Sequence, residues 1–357
     1  MAKKIRVLVV EDSTTVRKRL LDILDSDPDI EIVGEAEDGK RAIELCLQAR
    51  PDVITMDMML PIMSGMSATE YIMAHCPTPI LVVSASINRG ELFKIYEALA
   101  AGAVDVLEKP VGMESDDDWE LRFISMVKLV ARIHVITHPR ARLAALSRRK
   151  PASAPADSGA AKPPCRVVAI GASTGGPGAI LQILRSLPSE FCLPILLVLH
   201  INEPFGSAFA DWLDAQTGRD VLCARDGMQV ATAAGRVVVA TGGRHMIVRG
   251  GILRLTDDAE RHSCRPSVDV LFESVAEEYG ATAAACLLTG MGRDGALGLL
   301  KIRQAGGITI AQDETTSVVY GMPREAVALG AVMHVLRLDE IALHLAALQT
   351  AALEAYA

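Results

Sequence analysis

A chain of 357 residues is long enough for two domains of ordinary size. Half of the residues are apolar and 22% are charged, which supplies a sizeable core and excludes wholesale disorder. The formal net charge of −8 argues against a nucleic-acid partner, and 4% aromatic residues are too few for a base-stacking platform. The charge is uneven: residues 1–139 carry 15 Lys/Arg against 23 Asp/Glu, residues 140–165 six against one, and residues 166–357 15 against 20. A basic tether between two acidic blocks is the expectation. The longest charge-free runs, 71–88 and 167–184, are broken by Pro, Gly and polar residues, so no membrane insertion is expected. The start has no signal-peptide apolar core, and the seven cysteines are scattered without a C-x-x-C pair. Both features fit a reducing cytoplasm.

Strand-like runs at Ile5–Val10, Ile30–Val33, Val53–Met56, Ile80–Val83 and Val104–Leu107 alternate with amphipathic stretches. Five β/α repeats in this length predict a doubly wound parallel sheet, with ligands bound outside the carboxyl ends of the strands. Unusual residues follow those ends: Glu11 and Asp12 after the first, Asp57 after the third, Ser84 after the fourth, Lys109-Pro110 after the fifth. Three carboxylates at one edge repel unless a cation joins them, and hard oxygen donors suit Mg²⁺. A Lys and a hydroxyl beside them suit phosphoryl oxygens. The chemistry implied is phosphoryl transfer onto an Asp carboxylate. Any one acid after a strand is commonly a helix N-cap; five matched positions make that reading unlikely as a whole.

The segments V-L-V-V-E-D-S, D-V-I-T-M-D-M-M-L-P-I-M-S-G, V-V-S-A-S and G-A-V-D-V-L-E-K-P resemble the receiver domain of bacterial response regulators. The resemblance implies a flavodoxin-like fold, with Asp57 as phosphoacceptor and Mg²⁺ held by Glu11, Asp12, Asp57 and the Met59 backbone carbonyl. It also implies phosphoryl contacts from Ser84 and Lys109, and a sensor histidine kinase as phosphodonor. Many receivers carry an aromatic switch residue near Val106, which valine cannot replace. The expected boundaries are a receiver over 1–123, a linker over 124–164 and a second domain over 165–357. Trp119, Phe123, Met126, Val130 and Ile133 form an apolar helical stripe, read as the last receiver helix or an extension of it. Residues 150–164 are Pro/Ala/Ser-rich and linker-like, and the cluster Arg140, Arg142, Arg148, Arg149 and Lys150 reads as solvated or as a guide onto an acidic surface.

Beyond the linker, Arg166–Ile170, Pro194–Leu199, Arg236–Ala240, Ala284–Leu288 and Ile308–Ala311 read as strands, and Val268–Tyr279 and Ala296–Ala305 as helices, the latter stopped by Gly306. Met246–Arg249 and Ile252–Leu255 around Gly250-Gly251 read as a hairpin. A second α/β sheet follows. Its first strand runs into G-A-S-T-G-G-P-G, where Gly171–Gly175 has the G-x-S-x-G spacing of a nucleophile elbow. A Gly-rich strand–helix turn is equally a phosphate cradle. His200 ends the next strand and Asp294 lies in a Gly-rich loop after another, so Ser, His and Asp should meet at one sheet edge. The order Ser…His…Asp differs from the α/β-hydrolase order, which would need His334 or His344 as the base.

The segments I-G-A-S-T-G-G-P, R-P-S-V-D-V-L-F, L-L-T-G-M-G-R-D-G-A-L-G-L and A-Q-D-E-T-T-S-V-V-Y-G-M-P-R-E-A-V resemble the chemotaxis-type protein-glutamate methylesterase/glutaminase (CheB) family. The resemblance implies an α/β methylesterase domain with a Ser173–His200–Asp294 triad. It also implies an oxyanion contact from the Met291 backbone N–H, methyl-accepting chemoreceptors as substrate, and no cofactor for the esterase reaction. Two departures stand in loops: Leu199-His200-Ile201-Asn202-Glu203-Pro204 where the family commonly has Q-H-M-P, and Ala240-Thr241 where it commonly has A-P. The competing readings are a response regulator whose second domain only binds a ligand, and a serine hydrolase unconnected with chemoreceptors.

Overall fold

The computed structural model describes residues 3–85, 89–109, 117–133, 163–201 and 205–356. The chain divides into two compact units, Met1–Pro155 and Ala156–Ala357. The basic cluster Arg140–Lys150, most of the expected linker, Pro110 and Asn202-Glu203-Pro204 lie outside the described residues.

In the first unit, strands β1 (Ile5–Val10), β2 (Ile30–Ala36), β3 (Val53–Met56), β4 (Ile80–Ser84) and β5 (Asp105–Glu108) form a parallel sheet ordered β2-β1-β3-β4-β5. Helices α1 (Thr14–Asp25), α2 (Gly39–Ala49), α3 (Gly65–His75), α4 (Arg89–Ala101) and α5 (Asp117–Val130) connect or follow them. Ser13, Asp38 and Ser64 cap the first three helices by accepting from the backbone N–H three residues on. The strands β1, β3 and β4 are buried on both faces, as a doubly covered parallel sheet requires.

The expected edge of this unit at residue 123 falls inside α5. That helix buries Trp119, Phe123, Val127 and Val130 against Val7, Val9, Leu81 and Leu107, so the receiver core continues to its end. Val127 joins the buried stripe, and Met126 and Ile133 pack against it half-buried, as expected. Trp119 donates from Nε1 to the Glu108 carbonyl at 2.6 Å, which latches α5 to the carboxyl end of β5.

In the second unit a seven-stranded sheet runs β14-β13-β12-β6-β7-β9-β8. Its strands are β6 (Val167–Ala172), β7 (Ile195–Leu199), β8 (Val221–Cys223), β9 (Val237–Val239), β12 (Ala283–Leu287), β13 (Ile308–Gln312) and β14 (His334–Leu336), all paired in parallel. The expected hairpin is a separate antiparallel ribbon, β10 (His245–Arg249) and β11 (Ile252–Thr256). Helices α6 (Gly176–Ser186), α7 (Phe205–Thr217), α8 (Val268–Tyr279), α9 (Ala296–Gln304), α10 (Met322–Ala328) and α11 (Leu338–Tyr356) complete the unit. The three-residue edge strands β8 and β14 have too few residues to show a period in the sequence. Strand order reverses between β12 and β6, which opens a crevice at their carboxyl ends.

Candidate functional sites: a serine–histidine–aspartate edge and an acidic pocket

Ser173 stands in the turn between β6 and α6. Its N–H donates to the Thr289 carbonyl at 3.0 Å, and its carbonyl accepts from the Gly176 N–H at 2.6 Å. The turn needs Gly175, whose φ of +77° a side chain would strain, and where a Cβ would lie 2.5 Å from Val318 Cβ. Gly290 has a different task. A Cβ there would fall 2.8 Å from Ser173 Cβ and 2.3 Å from Met322 Sδ, so glycine allows the Thr289–Met291 segment to lie against the serine. Thr289 ties that segment down. Its Oγ1 donates to the Thr174 carbonyl at 3.0 Å and accepts from the Val319 N–H at 2.9 Å, and its own N–H donates to Gln312 Oε1 at 2.8 Å. The Met291 N–H takes no part in the backbone bonding among the described residues, and its side chain is exposed.

His200 follows β7, its N–H donating to the Ala172 carbonyl at 3.1 Å. Its Nε2 is 2.7 Å from Asp294 Oδ2. The carboxylate also accepts from Ser267 Oγ at 2.7 Å, the Val268 N–H at 2.7 Å and the Asp269 N–H at 3.0 Å. These last donors are the first turn of α8, so Asp294 sits at a helix N-terminus, where unpaired N–H groups and the helix dipole favour an anion. Burial would raise the Asp294 pKa, but His200, Ser267 and Asp269 outweigh it and hold it below the usual carboxylate range. Burial pushes the His200 imidazole down, yet Asp294 and the neighbouring Cys264 thiol raise it to about 9. Ser267-Val268-Asp269 was not singled out from sequence as the holder of Asp294. The signal was there: a serine N-cap opening an apolar helical run.

Three neighbouring strands, β12, β6 and β7, thus bring Ser173, His200 and Asp294 to one edge, as expected. His200 and Asp294 are bonded. Among the described residues no hydrogen bond joins Ser173 Oγ to His200. His334 and His344 instead pair with each other, ring centroids 4.6 Å apart, on the edge strand β14 and on α11.

The second constellation lies at the carboxyl edge of the first sheet. Glu11 and Asp57 are buried, Asp12 is exposed, and their carboxylate oxygens lie within 4.8 Å of one another. Lys109 Nζ is 2.6 Å from both Glu11 Oε2 and Asp57 Oδ2. Ser84 Oγ reaches Asp57 Oδ1 at 3.5 Å, and the Met59 N–H donates to the same oxygen at 3.2 Å. Val106 is half-buried on β5. Burial raises the Glu11 pKa, with Lys109 opposing and Asp57 adding to the rise. Burial lowers the Lys109 pKa, but the two carboxylates outweigh it and leave it raised. Two buried carboxylates and an exposed third, balanced by a single ammonium, fit a hard divalent cation.

A receiver-like acidic pocket and a serine–histidine–aspartate edge on one chain define a response regulator with a hydrolase-type output domain. Comparison with known proteins gives the class its family. The receiver domain family model matches residues 7–115, and the CheB methylesterase family model matches residues 168–345. The chain is 43% identical over 339 residues to protein-glutamate methylesterase/protein-glutamine glutaminase 2 of Anaeromyxobacter dehalogenans, covering 95% of each chain. It is 44% identical over 340 residues to the like-named protein 1 of Syntrophus aciditrophicus, covering 95% of this chain and 96% of that one. The crystal structure of the Thermotoga maritima CheB methylesterase catalytic domain is similar at 35% identity, with a TM-score of 0.49, over 52% of this chain and 98% of that one. The chain belongs to the protein-glutamate methylesterase/protein-glutamine glutaminase family and is an enzyme of that family.

Proposed function

We propose that the chain hydrolyses glutamyl γ-methyl esters, and deamidates particular glutamines, on the cytoplasmic helices of methyl-accepting chemoreceptors. The observation that carries this reading is the His200–Asp294 pair, delivered by the loops that follow β7 and β12 on either side of the Ser173 turn. Ser173 attacks the ester carbonyl and passes its proton to His200. Asp294, held by three donors of α8, orients the imidazole and stabilises the imidazolium that forms. The Met291 N–H donates to the tetrahedral oxyanion, on a segment that Gln312 and Thr289 keep in place. His200 returns the proton to the departing methanol, and water resolves the acyl-enzyme by the same route. The Ser173–His200 hydrogen bond forms when substrate closes the site; such bonds are often long before substrate binds.

In the receiver, Asp57 accepts the phosphoryl group from a sensor histidine kinase. Glu11, Asp12, Asp57 and the Met59 carbonyl hold Mg²⁺, which when bound neutralises the charge that develops on the transferring group. Lys109 and Ser84 then contact the phosphoryl oxygens, Lys109 exchanging a carboxylate oxygen for a phosphoryl oxygen. The receiver spans 1–123 and the rest of α5, the catalytic domain 165–357. Among the described residues no helix is long and apolar enough to cross a membrane, and the site of action is the cytoplasm. The test is methanol release from a methylated receptor. Wild type should release it, faster after Asp57 phosphorylation, and Ser173→Ala should not. Methanol release that survives Ser173→Ala would overturn the assignment. Hydrolysis of small esters without release from receptor would favour a serine hydrolase of other substrate.

A further inference from the structure

Cys264 has no part in the hydrolytic scheme, yet its thiol is a polar neighbour of the His200 imidazole. A His200 ring nitrogen, Cys264 Sγ and an Asp294 oxygen lie within 4.8 Å of one another. We propose that these three side chains form a binding site for a borderline divalent cation of the Zn²⁺ type, and that its occupation shuts the hydrolytic site.

The donor set decides the cation. Thiolate and imidazole suit zinc and its neighbours, and they discriminate against Mg²⁺, which prefers oxygen alone. The two constellations of the chain therefore sort cations by softness: hard ions to Glu11, Asp12 and Asp57, softer ions to His200, Cys264 and Asp294. Tetrahedral zinc, with bonds of about 2.0 Å to N or O and about 2.3 Å to S, needs donors roughly 3.3–3.8 Å apart. The observed cluster meets this by adjustments of about 1 Å or less. Three protein ligands leave the fourth position to water.

Two of the ligands are already held. Asp294 keeps its bonds from Ser267 Oγ, the Val268 N–H and the Asp269 N–H whatever His200 does. Outer bonds of this kind orient a metal-bound carboxylate. Cys264 sits in a short turn closed by reciprocal backbone bonds, Arg261 N–H to the Cys264 carbonyl at 3.1 Å and Cys264 N–H to the Arg261 carbonyl at 2.9 Å. Its thiol makes a weak bond to the His262 carbonyl at 3.4 Å besides its contact with the His200 imidazole. The one strong bond that must open is His200 Nε2 to Asp294 Oδ2, where the cation takes the place of the shared proton. Binding releases that proton and the thiol proton to solvent. It also ties up the imidazole that would accept the Ser173 proton.

Metal binding stands independently of the esterase reading; the inhibition rests on it. Co²⁺ is the probe, added to the metal-free full chain at about pH 8, where ligand protons compete less. A saturable thiolate-to-cobalt charge-transfer band is expected, reversed by Zn²⁺, and Zn²⁺ should lower ester hydrolysis about tenfold or more over the same concentration range. Cys264→Ser should lose the band, and the hydrolysis rate it shows without metal, whatever its level, should resist Zn²⁺. Cys192→Ser and Cys223→Ser, the controls for other thiols outside the core, should keep the band. Absence of the band, or its persistence in Cys264→Ser, overturns the site. Equal Zn²⁺ inhibition of wild type and Cys264→Ser overturns the inhibition. Because the band needs no turnover, an inactive wild type would count against the esterase reading and leave the metal site standing.

Discussion

Replacing Asp294 by Asn probes the interaction on which the catalytic edge depends. The carboxylate is 2% exposed and accepts four hydrogen bonds. Asparagine keeps the shape but loses the charge and turns one acceptor oxygen into a donor. In the wild type, burial opposes protonation of His200, but Asp294 and Cys264 outweigh it and carry the imidazole from 6.5 to about 9. A rise of that size is worth about 3 kcal/mol in favour of the protonated form. Because the folded pKa is raised, this stabilisation is complete below the unfolded pKa of about 6.5 and is lost as pH rises through about 9. In Asp294→Asn, burial meets less opposition and the His200 pKa falls. Donors left without an acceptor cost about 1–3 kcal/mol each. The variant should therefore be less stable than wild type by about 4 kcal/mol or more in mild acid, and the gap should shrink by about 3 kcal/mol between pH 6.5 and 9.5. The assays are imidazole proton NMR titration and urea unfolding across that range. An unchanged His200 titration, or a stability gap that does not narrow with pH, would refute the reasoning.

Three further outcomes are expected. Gly290→Ala should lower kcat about 100-fold with little change in KM, because the new methyl group collides with Ser173 Cβ and displaces the oxyanion segment; steady-state kinetics on a small ester measure it. Gln312→Leu removes the buried acceptor of the Thr289 N–H and the donor to the part-buried Thr316 carbonyl, and should cost about 2 kcal/mol in urea unfolding along with a fall in kcat. Glu11→Gln should stabilise the metal-free receiver by about 1 kcal/mol, since burial and Asp57 make the charged form unfavourable, while abolishing the Mg²⁺-dependent rise in its melting temperature. A loss of stability without metal would show that the Lys109–Glu11 contact outweighs the burial of the charge.

Much of this molecule is legible in its sequence because a doubly wound sheet repeats one physical pattern. Buried parallel strands such as Ile195–Leu199 and Ala283–Leu287 are continuous apolar runs, and the helices between them carry one apolar face. The residues that break the pattern at strand ends are those that gather at the carboxyl edges. The edge strands β8 and β14 escaped detection; β9, equally short, was legible because it lies in the all-apolar run Val237–Ala240. The boundary drawn at residue 123 cuts through α5, although the apolar stripe from Trp119 to Ile133 marks a helix that continues past it.

What sequence alone determined was membership: which residues stand at strand ends, hence that Ser173, His200 and Asp294 share one edge and Glu11, Asp57 and Lys109 another. What only the tertiary structure decided was how those groups are held. Ser267, Val268 and Asp269 converge on Asp294 from a helix 25 to 27 residues away in the chain. Gln312 fixes Thr289 from the next strand, and Cys264 arrives beside His200 from a turn with no metal-binding spacing. Hydrogen bonds between side chains distant in sequence leave no periodic trace, because each depends on one pair of atoms brought together by packing rather than on a repeat along the chain.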